Sequence, residues 1–153
     1  MPKLLINVHC PSPNTQKLRD AMVKGASHPD ITGVEVRVVE PLEADSDDVQ
    51  WADGILLGTT ENFGYMSGAM KDFFDRIYYP CLEETQALPY AIAIRAGLDG
   101  TGTRTAMEKI ITGLKWRPIQ EPLISQGKFN ESFLKDWETL GMTMAAGLEA
   151  GIY

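Results

Sequence analysis

Only two cysteines, Cys10 and Cys81, and two histidines, His9 and His28, occur in this chain. There is no CxxC and no metal-ligand spacing, so neither a disulfide framework nor structural zinc can be the source of stability. No apolar run approaches the roughly 20 residues of a membrane-spanning helix. Met1 to Cys10 lacks the layout of a signal peptide. These absences lead us to expect a reducing, cytoplasmic location and no membrane insertion. Clustered lysine and arginine are missing too. The 14 basic residues face 21 acidic ones, a net charge of −7, which argues against nucleic acid or an anionic membrane as partner. The acidic residues gather at Glu40, Glu43, Asp45, Asp47 and Asp48, as in a solvated loop entering a helix. Two nucleotide motifs are also lacking. No Walker A motif is present, and no GxGxxG turn follows the first strand-like run, so ATP and classical NAD binding lose ground.

What is present suits one domain, residues 1–153, long enough to bury a core unaided. Short apolar runs alternate with helical patterns, the signature of βα units and a parallel sheet covered on both faces. Leu4 to Val8 reads as the first strand and Thr15 to Ala26 as the first helix. Val34 to Val39 alternates valine with charge, as an edge strand does. A short helix, Asp47 to Trp51, precedes a buried strand, Ile55 to Gly58. Ser67 can cap the next helix, Ala69 to Tyr79, which Pro80 should stop. Tyr90 to Ile94 is a fourth strand and Thr103 to Leu114 a helix. A broken fifth strand lies within Trp116 to Ser125, interrupted by Pro118 and Pro122. Glu131 to Leu148 closes the chain as a helix. The layout predicts a three-layer, doubly wound, five-stranded parallel sheet in the order 2-1-3-4-5. Such sheets bind ligands beyond the carboxyl ends of their strands, where the winding reverses.

Three strand-to-helix connections exceed what a short turn needs. The first is His9-Cys10-Pro11-Ser12-Pro13-Asn14-Thr15. Its hydroxyls, the Asn14 amide and the backbone N–H groups at Thr15, Gln16 and Lys17 suit a phosphate; they equally suit a turn and helix cap. The second runs Thr59-Thr60-Glu61-Asn62-Phe63-Gly64-Tyr65-Met66-Ser67-Gly68. Gly64 between two aromatics lets backbone approach a flat ring, and the hydroxyls of Thr59 and Thr60 can reach a sugar-phosphate chain. The third is Arg95-Ala96-Gly97-Leu98-Asp99-Gly100-Thr101-Gly102-Thr103. Its glycines free N–H groups to converge on one acceptor, as a backbone nest does. The expected topology gathers all three loops at one sheet edge. A phosphate cradle, an aromatic wall and a rim of backbone donors match FMN.

These residues resemble the flavodoxin-like superfamily, in particular its NADPH-dependent FMN reductase and NAD(P)H:quinone oxidoreductase branch. Ser12-Pro13-Asn14-Thr15-Gln16-Lys17-Leu18 is similar to that branch's phosphate loop. Asn62-Phe63-Gly64-Tyr65-Met66-Ser67-Gly68-Ala69-Met70-Lys71, followed by Phe73 and Asp75-Arg76, is similar to its flavin-ring loop and succeeding helix. Two positions depart from it: Thr60 stands where the branch often has proline, and Pro13 where it often has glycine. The resemblance implies phosphate contacts at Ser12, Asn14, Thr15 and Gln16. It places Thr59, Thr60, Glu61, Asn62, Phe63 and Gly64 along the ribityl chain and ring, with Ala96, Gly97, Asp99 and Gly102 at the pyrimidine edge.

The implied activity is reduction of bound FMN by NAD(P)H and transfer of electrons to a quinone, a flavin, another small acceptor or a redox protein. No catalytic side chain and no metal ligand is expected. The alternatives are a flavodoxin-type electron carrier without NAD(P)H activity and a flavin-free interaction module. The third loop lacks the aromatic that electron carriers commonly place over the ring, which favours the reductase. The carboxylate cluster of a phospho-receiver is absent after strands one and three, which disfavours the module. Arg95 is either a partner of the flavin N1/O2 edge or a surface ion pair, and Cys10 either a redox thiol or a buried packer. Phe74, Tyr78, Tyr79 and Trp137 either seal a homodimer interface or cover the sheet.

Overall fold

A computed structural model describes residues 1–153. In chain order the elements are β1 (Lys3–Val8), α1 (Pro13–Ala26), β2 (Glu35–Val38), α2 (Ser46–Trp51), β3 (Gly54–Asn62) and β4 (Tyr65–Met66). They continue with α3 (Gly68–Leu82), β5 (Pro89–Ala96), α4 (Thr101–Leu114), β6 (Arg117–Pro118), β7 (Leu123–Gln126) and α5 (Ser132–Glu149). The sheet runs β2-β1-β3-β5-β6; β7 also pairs with β5, and β4 pairs with β3.

The alternation of side chains along β1 splits the core in two. Leu4, Ile6 and Val8 face one way, where Leu18 and Met22 of α1 and Trp137, Leu140 and Met144 of α5 cover them. Leu5 faces the other, where Ile55, Leu57, Ile92 and Ile94 meet Val49, Phe73, Phe74, Ile77, Met107 and Ile111 from α2, α3 and α4. Helices thus lie on both faces of a parallel sheet, as its apolar strands require. Side-chain caps fix three helix starts. Ser12 and Thr15 form a reciprocal capping box, Asp45 and Asp48 form a second, and Ser67 Oγ accepts from Met70 N at 3.2 Å.

Three expectations are corrected. The sheet has seven strands rather than five. Its terminal ladder splits into β6 and β7, with Pro118 ending the first piece and Pro122 directly preceding the second, since proline offers no ladder donor. Thr59 to Gly68 is not one continuous loop. β3 keeps pairing with β5 through Thr60, then turns onto β4 with Glu61 opposite Met66 and Asn62 opposite Tyr65. Phe63 (φ 54°) and Gly64 (φ 73°) form the two-residue turn, both on the positive side that right-twisted hairpins favour. Pro80 does not stop α3, which continues to Leu82. Cys81 is fully buried one turn beyond Ile77, so core packing holds the last turn.

Candidate functional site

The winding reverses between β1 and β3, and the loop after β5 lies beside them at the same carboxyl edge. At the end of β1, His9 N donates to Gly58 O at 2.9 Å. Burial holds the His9 imidazole below its ordinary pKa, and nearby Glu40 only partly opposes this. Loop one therefore carries a neutral ring and brings no positive charge. Cys10 is buried, donates to Glu40 Oε1 at 3.6 Å and accepts from Arg19 Nη1 at 3.2 Å. Burial pushes its thiol up, with Arg19 opposing, which makes it a neutral packing group and not a reactive thiolate.

The phosphate-loop residues separate into two sets. Ser12 and Thr15 spend most of their capacity on each other: Thr15 N donates to Ser12 Oγ, Ser12 N to Thr15 Oγ1, and Thr15 Oγ1 to Ser12 O, all within 3.2 Å. Thr15 is buried, so it shapes the turn rather than facing a ligand. Ser12 is half-buried, and the Asn14 and Gln16 side chains are exposed. Gln16 N is committed to Ser12 O, whereas Asn14 N has no acceptor in the protein.

In the hairpin, Thr59 is buried; its hydroxyl donates to Thr60 O and accepts from Ser67 N, so it braces the turn from beneath. Thr60 Oγ1 donates to Asn62 Oδ1 at 2.9 Å on the exposed side. The Phe63 ring is wholly exposed (108% relative to the free residue), although its backbone sits in a region costly for a residue with a Cβ. The hairpin rests on the start of α4. Thr103 Oγ1 donates to Tyr65 O at 2.9 Å, and a Cβ at Gly102 would lie 2.1 Å from Gly64 O, so only glycine fits there.

The third loop is organised by an acceptor from the second. Glu61 takes Leu98 N on Oε1 at 2.7 Å and Gly100 N on Oε2 at 2.9 Å. The nest expected around these glycines thus has an internal carboxylate in it. Asp99 Oδ1 accepts from Thr101 N at 3.0 Å. The N–H groups of Gly97 and Asp99 have no acceptor in the protein, and Leu98 is exposed. Ala96 is fully buried and offers no side chain to a ligand. Arg95 is turned away from this edge. It donates to Ala96 O and Ser125 O and lies 5.1 Å from the Phe133 ring centre, a strut between β5 and α5 rather than a flavin partner.

The edge is an open ledge. A recess of about 220 Å³ beside it is lined by His9, Cys10, Pro11, Glu40, Pro41 and Leu42. The largest recess, about 480 Å³, lies at the opposite end of the sheet near Asp53, Pro89 and Arg117 and shares no residue with the three loops. The donor set fits FMN at both ends. Ser12, Asn14 and Gln16 present neutral hydrogen-bonding groups at a helix start, while Gly97 and Asp99 present N–H groups without an acceptor in the protein on either side of exposed Leu98.

A family model for NADPH-dependent FMN reductase matches residues 13–131. The chain belongs to that family. A flavodoxin of Aquifex aeolicus (strain VF5) is 32% identical over 114 residues, 74% of this chain and 60% of that relative, so the chain spans well under the relative's full length. Among solved structures, an archaeal flavodoxin superposes with a TM-score of 0.79 at 18% identity, covering 97% of this chain and 99% of that one. A WrbA-like flavodoxin from Agrobacterium tumefaciens gives 0.74 at 14%, covering 97% and 98%. The flavodoxin-like fold is therefore established, with seven strands where five were expected.

Sequence reasoning missed two contributors, Thr103 as the hairpin latch and Leu98 as exposed apolar surface. A helical threonine and a loop leucine carry no signal that separates these roles from ordinary ones.

Proposed function

We propose that this protein is an FMN-dependent oxidoreductase that draws reducing equivalents from NAD(P)H and delivers them to a quinone, a flavin or a similar acceptor. Membership of the FMN reductase family supports the cofactor. One observation carries the site. Two apolar side chains, Phe63 and Leu98, stand exposed on loops that hydrogen bonds tie together, and the N–H groups of Gly97 and Asp99, on either side of Leu98 in the chain, have no acceptor in the protein.

Asn14 N–H, Ser12 Oγ and the Asn14 and Gln16 amides would hold the phosphate, without a buried cation whose desolvation would have to be offset. The Thr60 hydroxyl, the Asn62 side chain and the Phe63–Gly64 backbone would flank the ribityl chain and ring. The Gly97 and Asp99 N–H groups would donate to the pyrimidine edge. When bound, FMN supplies the redox chemistry, accepting hydride at N5. The protein orients and shelters it; no side chain here is needed to move a proton. The third loop puts Leu98 rather than an aromatic ring at the ledge, and no protein segment lies over Phe63. A planar nicotinamide therefore has an open face on which to stack.

The second reading, an electron carrier, is favoured by the Aquifex relative, which bears the name flavodoxin, and by the −7 net charge, which suits basic redox partners. Steady-state oxidation of NADPH with a quinone acceptor separates the two. The reductase reading expects turnover far above that of the same concentration of free FMN. A rate equal to free FMN, with the protein still holding its flavin, leaves the carrier.

A further inference from the structure

We infer that Glu61 is the positioning residue of the flavin ledge: its carboxylate fixes the third loop so that alternate backbone donors are left for the ligand. The inference rests on the flavin reading above. The geometry behind it is a division of labour along four consecutive residues. Leu98 N and Gly100 N are consumed by the two carboxylate oxygens of Glu61, whereas Gly97 N and Asp99 N have no acceptor in the protein. Glu61 lies at the hairpin register position opposite Met66, which is buried. The hairpin is itself latched to α4 through Thr103 and Tyr65. A carboxylate so anchored holds the loop from one side with both oxygens. Charge-assisted bonds of this kind are about twice as strong as neutral ones.

Without Glu61 the segment Gly97-Leu98-Asp99-Gly100, rich in glycine and largely exposed, would sample many conformations. Those would have to be frozen when a ligand binds. Pre-ordering removes that cost from the binding step. Glu61 therefore acts through the loop and not by touching the ring, which revises its expected place among the ring contacts. Asp99 has a parallel local role. Its Oδ1 accepts from Thr101 N, which helps fix the turn, and its backbone N–H is left without an acceptor.

The test compares wild type, Glu61→Gln and Glu61→Ala. FMN dissociation constants come from flavin fluorescence, and amide hydrogen exchange of Leu98 and Gly100 is measured in the flavin-free proteins. Glu61→Ala should lose protection at both amides and bind FMN more weakly, on the order of tenfold or more. Glu61→Gln keeps one carbonyl acceptor and should fall between, a partial rescue that mere filling of space would not give. In wild type, added FMN should shift the Gly97 and Asp99 amide resonances while Leu98 and Gly100 stay protected. Should Glu61→Ala fail to fold, Glu61→Gln alone decides by the same readouts. Undiminished FMN affinity in a folded Glu61→Ala or Glu61→Gln protein that has lost the protection overturns the inference. So does deprotection of Leu98 and Gly100 in wild type on adding FMN, which would make Glu61 a placeholder displaced by the ligand. Wild type that takes up no FMN defeats the flavin reading itself, and the inference falls with it.

Discussion

Asn7 shows how far a single residue can depart from the rule that buried polar groups find partners. It lies on β1 with no exposed surface, paired across the sheet with Leu57, and neither amide atom has a hydrogen-bond partner. An unsatisfied buried amide costs about 1–3 kcal/mol, and leucine has the same γ-branched shape and number of heavy atoms, although its methyl groups take more room. Asn7→Leu should therefore raise the unfolding free energy by about 1–2 kcal/mol, roughly 2–8 °C in melting temperature for a chain of this size. Urea and thermal unfolding check it. Unchanged or lower stability would contradict this, and would mean that a buried water pairs the amide or that the larger side chain overpacks the site. At the ledge, His9 Nδ1 is likewise buried without a partner, but most polar groups there are either committed or open. Thr59 and Thr15 are spent on turns, Glu61 on the third loop, and Arg95 on a strut; Asn14, Gly97 and Asp99 keep their N–H groups free.

The helices α1 and α5 pack backbone to backbone at two glycines. A Cβ at Gly141 would lie 2.0 Å from Met22 O, and one at Gly25 would lie 1.9 Å from Glu138 O. Both obstacles are backbone, so the helices must separate to admit a methyl group. Gly141→Ala gains up to about 1 kcal/mol in helix propensity but should still lose about 1–3 kcal/mol net through overpacking. Gly68→Ala, in open space at the start of α3, should be neutral within about 0.5 kcal/mol. Equal stability of Gly141→Ala and wild type would contradict the packing described.

At this same scale the sequence was most readable. Strands such as Leu4 to Val8 and helices such as Thr103 to Leu114 follow from local periodicity, and the parallel order follows from their alternation. The hairpin was not readable, because Thr59 to Gly68 combines hydroxyls and glycine with no alternating pattern, and its turn is Phe-Gly rather than Asn-Gly. Pro80 misled because burial of Cys81, a tertiary effect, outweighs the local break. For the site, topology alone located the three loops. Which polar groups are committed within the protein was not legible, since the decisive partners are remote in sequence: Glu61 lies 37 and 39 residues from its donors, and Arg95 lies 30 from Ser125.

Taken whole, the molecule is acidic and its core holds titratable groups in their neutral forms, which sets its response to alkali. Burial raises the Cys81 thiol from 9.0 to about 11. The unfolded chain therefore loses that proton first. Stability from this group is intact below pH 9 and is lost as pH rises towards 11. Tyr90 and Cys10, both raised chiefly by burial, act in the same direction. Cys81→Ala should flatten the fall in melting temperature between pH 9 and 11 relative to wild type; an unchanged slope would remove Cys81 as a cause. No helix of the fold is long and apolar enough to cross a membrane.

An equilibrium titration with FMN, read by flavin fluorescence and repeated with riboflavin, tests whether the three loops together form a flavin-binding ledge. We predict saturation at one FMN per chain, and riboflavin, which lacks the phosphate, binding at least about tenfold more weakly. An emission that never saturates, or equal affinity for the two flavins, would contradict the site described here.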